Sequence, residues 1–180
     1  LHENPNSSMT DEQAMYAVSQ GDLDKAAILY ERYKKSLLNF FLYRQHDREN
    51  ARDLTQQVFL RMLRYRHTYR EGASFRTWVL EIARNVFFDH LKQNPTFSDL
   101  TEIPDVGDTY DEADEQHQYL HQALTQLPDQ YREVLVLSRF QNMSYEEIGQ
   151  TLGLSVANVK VRVFRAMQKL RDLYFDVSSK

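Results

Sequence analysis

Apolar residues recur every three or four positions along most of the chain, which is the period of one face of an α-helix. In the first half, this period predicts four helices, over residues 11–20, 22–45, 47–66 and 75–93. No segment alternates apolar and polar residues as a half-buried strand does. The pattern therefore predicts an all-α fold, whose first small helical domain covers residues 9–93.

The apolar stripes of these helices are the predicted core of the first domain. They are rich in aromatic residues, which bury large areas and contribute strongly to a small core. The expected inward positions are Ala26, Leu29, Tyr33, Leu37, Phe40 and Phe41 in the second helix; Ala51, Leu54, Val58, Tyr65 and either Leu60 or Met62 in the third; and Phe75, Trp78, Val79, Ile82, Ala83, Val86 and Phe87 in the fourth.

The helical period stops over residues 94–114, where two prolines, one glycine and a block of acids occur. From residue 99 to residue 115, the chain holds eight acids and no Lys or Arg. Proline and mutually repelling charges keep a segment extended. This stretch is therefore predicted to be an acidic linker between two domains. Residues 1–8 are polar and aperiodic, and we expect them to be a cloning remnant ahead of a natural start at Met9.

Helical periodicity resumes near Glu115 and predicts a second small domain over residues 115–180. Pro128 fits the first turn of a helix, because its missing N–H would have no partner there. Further along, Ser144 and Glu147 have the spacing of a capping box, which starts another helix.

A turn and a final helix follow. Gly149 would let a second helix approach closely, Gly153 suits the left-handed residue after a helix end, and Ser155 can cap the next helix. Val159, Val163, Met167 and Leu170 form the predicted buried stripe of that helix. The small residue, the turn glycine and the buried valine at 149, 153 and 159 have the spacing of a helix-turn-helix.

The final helix is unusually basic for this chain. Residues 155–171 hold five cations and no acid, although the formal charge of the whole chain is −4. Without the eight acids of the linker block, the 22 Lys and Arg outnumber the other 18 acids and leave +4. This asymmetry indicates a polyanionic partner. Asn158, Arg162, Arg165 and Lys169 share one side of the helix and can reach phosphates and base edges in a major groove; the alternative is a solvated cationic face.

A second candidate nucleic-acid surface lies between the third and fourth helices. Residues 65–74 combine two tyrosines, one histidine and two arginines. This composition suits single-stranded DNA, because bases stack on aromatic rings and phosphates pair with cations. In the fourth helix, Asn85 offers both the donor and the acceptor that an unstacked base requires.

These motifs carry a family resemblance. Residues 127–171, "LPDQYREVLVLSRFQNMSYEEIGQTLGLSVANVKVRVFRAMQKLR", resemble region four of bacterial RNA polymerase sigma factors, and residues 51–93 resemble region two. Only these two regions and a short connector are present, a layout that is similar to the extracytoplasmic-function (ECF) subfamily. The resemblance implies a factor that directs RNA polymerase core enzyme to promoters, in the cytoplasm. A helix-turn-helix regulator that does not bind core polymerase is the alternative.

The resemblance also implies three sets of site residues. Region four would bind the minus-thirty-five element through Ser155, Asn158, Lys160, Arg162, Arg165 and Lys169, and would also contact the β flap. Region two would capture the melted minus-ten element with Tyr65, Arg66, Tyr69, Arg70, Arg84, Asn85 and Phe88. Core polymerase, through the β′ clamp helices, would contact Asp53, Gln56, Gln57, Phe59, Leu60, Arg61 and Arg64.

Some of these assignments have alternatives. The family usually has Glu where this chain has Gln57, and the missing carboxylate would weaken a clamp contact or alter its salt dependence. Phe88 is expected to contact either the first helices or nucleic acid, and Trp78 is expected in the core. The linker would thread toward the active-site cleft of the polymerase, with its acids mimicking a nucleic-acid backbone, or it would be a simple tether. An anti-sigma factor is a further expected partner.

Other classes of function have little support in the sequence. The chain has no cysteine, which excludes disulfides and thiolate metal sites and suits a reducing cytoplasm. His117 and His121 are four residues apart, but no third ligand is clustered with them, so neither a metal nor a cofactor is expected. No glycine loop for phosphate and no apolar run of about 20 residues for a bilayer occurs. We therefore expect neither an enzyme nor membrane insertion.

Overall fold

The computed structural model describes residues 9–45, 47–94 and 115–178, and all regular structure in these ranges is helical. The predicted all-α fold is thus confirmed for this part of the chain. Eight α-helices follow one another in it: α1 (Asp11–Ser19), α2 (Ala26–Gln45), α3 (Arg48–Arg64), α4 (Phe75–Gln93), α5 (Glu115–Thr125), α6 (Asp129–Leu135), α7 (Tyr145–Leu152) and α8 (Val156–Ser178). The predicted acidic linker lies outside the described residues, apart from Asn94.

Short 3₁₀ turns and one π-helical turn occur between these helices. A 3₁₀ turn at Leu23–Lys25 leads into α2, and another at Arg66–Thr68 follows α3. Helix α6 continues into one π-helical turn, Val136–Phe140. Pro128 takes the N-cap position of α6, immediately before the helical turn in which the sequence placed it.

The chain forms two compact units, the first from residues 1–38 and 52–98 and the second from residues 39–51 and 99–180. The end of α2 and the start of α3 therefore fall in the second unit. The sequence-based division kept residues 9–93 together, because the apolar period of α2 runs without interruption through Phe40 and Phe41. Periodicity marks which face of a helix is buried, but not which partner buries it.

In the first unit, α1 is tied to the start of α4. The Glu12 carboxylate accepts a hydrogen bond from the backbone N–H of Phe75 at 3.2 Å, so α1 supplies a cap for the first turn of α4. The Tyr33 hydroxyl donates to Asp11 at 2.6 Å. Burial, together with this hydrogen bond to a carboxylate, raises the pKa of Tyr33, and the phenol stays protonated.

In the second unit, α8 packs against α5, α6 and α7. Arg132 holds one end of this bundle together. Its Nε donates to the carbonyl of Leu124 at 2.9 Å, and its Nη2 donates to those of Thr125 at 2.6 Å and Leu127 at 2.9 Å. Carbonyls at the end of a helix lack partners within the helix. The half-buried Arg132 guanidinium therefore acts as a C-terminal cap for α5.

Most of the predicted inward positions are buried. Four of them are only half-buried, namely Ala26, Trp78, Ile82 and Met167, and two further details differ. Met62, not Leu60, is the buried member of the pair left open in α3, and Leu60 is 66% exposed. The prediction that Tyr65 faces inward is wrong, because α3 ends at Arg64 and Tyr65 lies exposed where the chain turns away. Leu80 and Ala166 are buried although the sequence analysis did not select them.

Candidate nucleic-acid interface

The helix-turn-helix of the second unit is built by local interactions. Ser144 accepts from the N–H of Glu147 at 3.1 Å, and the Glu147 carboxylate accepts from the N–H of Ser144 at 2.8 Å, so the predicted capping box starts α7. Gly153 ends α7 in the left-handed conformation, with φ 66° and ψ 37°. Ser155 then accepts from the N–H of Asn158 at 3.2 Å and caps α8.

Gly149 is required by the turn itself. A Cβ at this position would lie 2.7 Å from the carbonyl oxygen of Leu154, which is closer than real Cβ atoms approach, and 3.9 Å from a methyl of Val159. The Leu154 N–H in turn donates to the Gly149 carbonyl at 2.8 Å. The glycine thus allows the turn to fold back onto α7 and fixes where α8 begins.

The orientation of α8 is set by its buried residues. Val159, Val163, Ala166 and Leu170 face the second unit's core. The predicted residues for double-stranded DNA lie on the solvent side, since Ser155, Asn158, Lys160, Arg165 and Lys169 are exposed and Arg162 is half-buried. No acid interrupts the helix from its start to residue 171. A cationic surface with polar groups near a helix N-terminus can enter a major groove.

Two exposed apolar residues of α8 were missed by the sequence analysis. Phe164 is 63% exposed, and Val161 is exposed too. Both were missed because the sequence analysis selected only polar and charged residues of this helix as candidates. At helical spacing, Val161 lies beside Arg165 and nearly opposite Val163, whereas Phe164 lies about 100° around the helix from Val163. Apolar side chains in a major groove can contact the methyl group of thymine.

In the first unit, the aromatic loop after α3 presents some of its residues and buries one. Tyr65 and Arg70 are exposed, and Arg66 donates from Nη1 to the carbonyl of Leu63 at 2.7 Å. Tyr69, in contrast, is only 5% exposed. The loop therefore offers one tyrosine ring and cations to solvent.

Tyr69 anchors this loop to α4. Its ring lies 5.3 Å from that of Trp78 and 6.4 Å from that of Phe75, both edge to face, and its hydroxyl donates to the carbonyl of Ala73. Burial, with the charges of Glu12 and Asp11, raises the pKa of Tyr69 to about 12. Trp78, which the sequence analysis expected in the core, is half-buried, and its ring contacts those of Tyr69 and Phe75.

On α4, the three residues that are predicted to bind the minus-ten element differ in their exposure to solvent. Asn85 is exposed, whereas Arg84 and Phe88 are half-buried. The Arg84 guanidinium lies over the Phe88 ring, 5.0 Å from its centroid, and Phe88 also contacts the ring of Phe87 at 5.8 Å. The guanidinium and the phenyl ring therefore form one platform beside the free amide of Asn85.

The predicted polymerase-binding residues on α3 fall into two groups. Five are exposed, and the other two contact side chains of the same unit. Asp53, Gln56, Gln57, Leu60 and Arg64 are exposed. Phe59 is 8% exposed, with its ring 4.8 Å from that of Tyr30. Arg61 is paired with Asp89 at 2.7 Å, a partner on α4 that the sequence analysis did not identify.

Comparison with known families decides the identity of this arrangement. Residues 29–95 match the family model "Sigma-70 region 2", and residues 117–170 match "Sigma-70, region 4". RNA polymerase sigma factor YlaC of Bacillus subtilis is 34% identical over 158 residues, which is 82% of this chain and 91% of YlaC. This chain belongs to the sigma-70 family. ECF RNA polymerase sigma factor SigM of the same organism is 32% identical over 156 residues, covering 81% of this chain and 93% of SigM.

The relatives place the chain in the ECF group of sigma factors, so it is a transcription initiation factor that directs RNA polymerase to promoters. Solved structures support the fold. CnrH in complex with the cytosolic domain of CnrY matches with a TM-score of 0.68 and 21% identity, over 91% of this chain and 96% of that one. RpoE of Bartonella quintana, in complex with the anti-sigma factor NepR, matches with a TM-score of 0.66, 21% identity, and 81% and 93% coverage.

Two further observations concern the described residues alone. None of their helices is long and apolar enough to cross a bilayer. Within the same ranges, no three His, Asp or Glu side chains are grouped as a metal site would require. His117 lies at the start of α5, and its side chain is outside the described part of the structure.

Proposed function

We propose that this sigma factor selects promoters with two separate surfaces, one on α8 for duplex DNA and one around the loop 65–74 and α4 for melted DNA. The observation that carries the proposal is the α8 surface, where exposed cations follow a fully formed helix-turn-helix without any acid among them. A helix of this kind gains affinity from phosphates and specificity from base edges.

In the duplex surface, each residue has a distinct role. Ser155, Lys160 and Lys169 contact phosphates and set the position of α8 along the groove. Asn158, Arg162 and Arg165 can reach base edges, since amides pair with adenine and guanidinium groups with guanine. We add Val161 and Phe164, which would contact thymine methyl groups beside those polar contacts. The element they read is the minus-thirty-five element of the promoter.

In the melted-DNA surface, the residues that reach solvent would contact DNA, and a buried residue would support them. Tyr65 offers a ring for base stacking, and Arg66 and Arg70 attract the phosphates of the strand. The Arg84–Phe88 platform stacks with a second base, and the Asn85 amide reads the edge of a base turned out of the stack. Tyr69 is buried, so its role would be to hold the loop in the conformation that displays its neighbours.

The α3 surface of Asp53, Gln56, Gln57, Leu60 and Arg64 is the proposed contact with the β′ clamp helices of the polymerase. Exposed leucine within a polar rim is the composition of a protein interface. Arg61 would contribute indirectly, by orienting α3 through its pair with Asp89. Gln57 supplies no charge, so the contact depends less on ionic strength than one made by a glutamate at this position.

The remaining assignments follow from this role. Residues 9–93 would act as the region-two domain and residues 115–180 as the region-four domain, joined by an acidic linker over 94–114 that enters the polymerase cleft. The chain would work in the cytoplasm and carry no catalytic residue, because the polymerase performs the chemistry. We also propose regulation by an anti-sigma factor, since RpoE of Bartonella quintana is bound by one, and a contact of region four with the β flap.

Holoenzyme binding to duplex promoters tests the α8 surface. Promoters are first selected from a genomic fragment library with wild-type holoenzyme, and affinity is then measured across a salt series. We expect Arg162→Ala and Arg165→Ala each to weaken binding about 10-fold or more while the helical circular dichroism is retained, because a good bidentate contact is worth about 1–3 kcal/mol. Gln150→Ala, at an exposed position on α7, is the control. Unchanged affinity in both arginine variants contradicts the proposal.

A further inference from the structure

The loop 65–74 ends directly at the first turn of α4. Inside the loop, the Ala73 N–H donates to the carbonyl of Arg70 at 3.1 Å, and the Tyr69 hydroxyl donates to the carbonyl of Ala73. Ser74 then takes the N-cap position of α4. The position of the exposed loop side chains therefore depends on how the first turn of α4 is held.

Two acceptors hold this first turn, and they come from different parts of the chain. The Ser74 hydroxyl oxygen accepts from the N–H of Thr77 at 3.3 Å, which is a local cap. The Glu12 carboxylate, on α1, accepts from the N–H of Phe75 at 3.2 Å. The first N–H groups of a helix have no partner within it, and a negative charge there also interacts favourably with the helix dipole. Helix α1 therefore helps to determine where α4 begins.

Helix α1 is itself fixed against α2. Asp11, next to Glu12 in the sequence, accepts from the Nη1 of Arg32 at 2.7 Å and from the Tyr33 hydroxyl at 2.6 Å. The same Arg32 Nη1 donates to the carbonyl of Met9 at 2.8 Å. Because these contacts already order the first turn of α1, little conformational entropy is lost when the adjacent Glu12 binds α4.

Helix α1 also packs against the loop, at the 3₁₀ turn Arg66–Thr68. Phe75, whose N–H Glu12 accepts, is fully buried, and its ring lies 4.9 Å from that of Tyr33 and 6.4 Å from that of Tyr69. Burial raises the pKa of Tyr69, and the charge of Glu12 acts in the same direction. The Glu12 carboxylate is therefore close enough to influence the tyrosine that anchors the loop.

We infer that Glu12 is a positioning residue for melted minus-ten DNA, because its cap on Phe75 fixes the end of the loop that presents Tyr65 and Arg70. The inference rests on the proposed melted-DNA surface. Glu12 acts through the loop and contacts no DNA itself. Without the cap, the loop would occupy its binding conformation for a smaller fraction of the time, and the affinity for DNA would fall by that fraction.

Binding of holoenzyme to single-stranded DNA with the minus-ten sequence of the selected promoters tests the inference. We expect Glu12→Ala to raise the Kd about fivefold, which corresponds to the loss of one helix cap. Glu12→Gln should stay within about twofold of wild type, because its amide oxygen still accepts from the N–H of Phe75. The Kd for duplex minus-thirty-five DNA should change less than about twofold in both variants, since α8 belongs to the other unit.

Gln13→Ala is the matched control on the same helix. The Gln13 side chain accepts from the N–H of Thr10 at 3.0 Å and completes the capping box of α1, so its loss weakens α1 but leaves the Glu12 side chain in place. We expect this variant to bind single-stranded DNA like wild type. Thermal melting of each variant shows whether its fold is retained at the temperature of the binding assay.

A second substitution keeps the test decisive if Glu12→Ala fails to fold. Glu12→Asp keeps the charge but draws the carboxylate back by one methylene, and we expect it to bind single-stranded DNA about threefold more weakly. Wild-type affinity in the folded Ala or Asp variant overturns the inference, and so does an equal loss in Glu12→Gln or Gln13→Ala. If Tyr65→Ala is weakened in the same assay, the proposed melted-DNA surface still stands. Wild-type affinity of Tyr65→Ala instead contradicts that surface.

Discussion

The guanidinium of Arg44 lies 3.1 Å from the carboxylate of Glu133, and both side chains are buried in the second unit. Arg44 is at the end of α2, and Glu133 is on α6. Next to this pair, Arg132 donates to the carbonyl of Arg44 at 3.1 Å, and the Tyr43 ring stacks on that of Phe140 at 4.1 Å. Residues far apart in the sequence are thus joined by charge, hydrogen bonds and ring contacts.

Removing one charge of this pair should strongly destabilise the second unit. Glu133→Gln leaves the Arg44 charge buried without its carboxylate, a change that typically costs about 3–5 kcal/mol. We expect faster hydrogen exchange in peptides from residues 129–178. Glu31→Gln breaks an exposed pair in the first unit and should leave those peptides unchanged. Equal protection in the Glu133 variant and the wild type would show that the pair contributes nothing.

Contacts with thymine methyl groups can be tested by removing one methyl group at a time from the DNA. In the selected minus-thirty-five element, each thymine is replaced in turn by deoxyuridine, which lacks only the methyl. At one or more positions we expect holoenzyme affinity to fall about fourfold, since a buried methyl is worth about 0.8 kcal/mol. Phe164→Ala should bind more weakly and lose this sensitivity. If no thymine is sensitive in the wild type, Phe164 and Val161 do not read methyl groups.

The two tyrosines of the loop 65–74 should behave differently. Tyr65 is exposed, so Tyr65→Ala should leave thermal stability unchanged and weaken holoenzyme binding to single-stranded minus-ten DNA about 10-fold, given about 1–3 kcal/mol per stacked base. Tyr69 is buried among aromatic rings, so Tyr69→Ala should destabilise the first unit by about 3–5 kcal/mol, as large aromatic truncations in cores do. Melting curves and oligonucleotide competition separate the two effects. A stable Tyr69→Ala variant with weak DNA binding would reverse these assignments.

His121 should make the second unit less stable in mild acid. Burial lowers the pKa of His121 below its usual 6.5; the charge of Arg132 acts in the same direction, and a hydrogen bond with the backbone of Leu42 opposes it. Below pH 6.5, the unfolded chain takes up a proton that the folded site resists, so the free energy of unfolding falls as the pH falls. The full contribution is present at pH 7.5.

The variant His121→Phe removes this titration and keeps a ring beside Tyr43, whose ring lies 5.9 Å from that of His121. Denaturant unfolding at pH 7.5 and pH 5 should show a smaller loss of stability in the variant than in the wild type. Equal losses would mean that His121 binds its proton as readily in the folded as in the unfolded chain.

The features that could be predicted from the sequence are those produced by neighbours along the chain. The Ser144–Glu147 capping box, the left-handed Gly153 and the Ser155 cap each depend on residues within three or four positions. Helix boundaries and buried stripes follow from the same local period. For this reason the cationic surface of α8, which we propose to bind duplex DNA, could be located before the structure was known.

The features that could not be predicted depend on partners distant in sequence. Nothing near Arg132 indicates that it caps α5, and nothing near Phe59 indicates that Tyr30 covers it. Composition does not distinguish Tyr65 from Tyr69, although the structure exposes one and buries the other. Exposed apolar residues such as Phe164 were missed because an apolar residue is assigned to the core by default.

Promoter-directed transcription with purified components tests the central claim most directly. Core polymerase and a genomic fragment library are incubated with wild-type chain, or with Arg162→Ala/Arg165→Ala, and transcript start sites are mapped. We expect the wild type to produce a set of discrete starts that share two upstream elements, and the double variant to lose most of this signal. Starts that are the same with and without the wild-type chain would contradict the account.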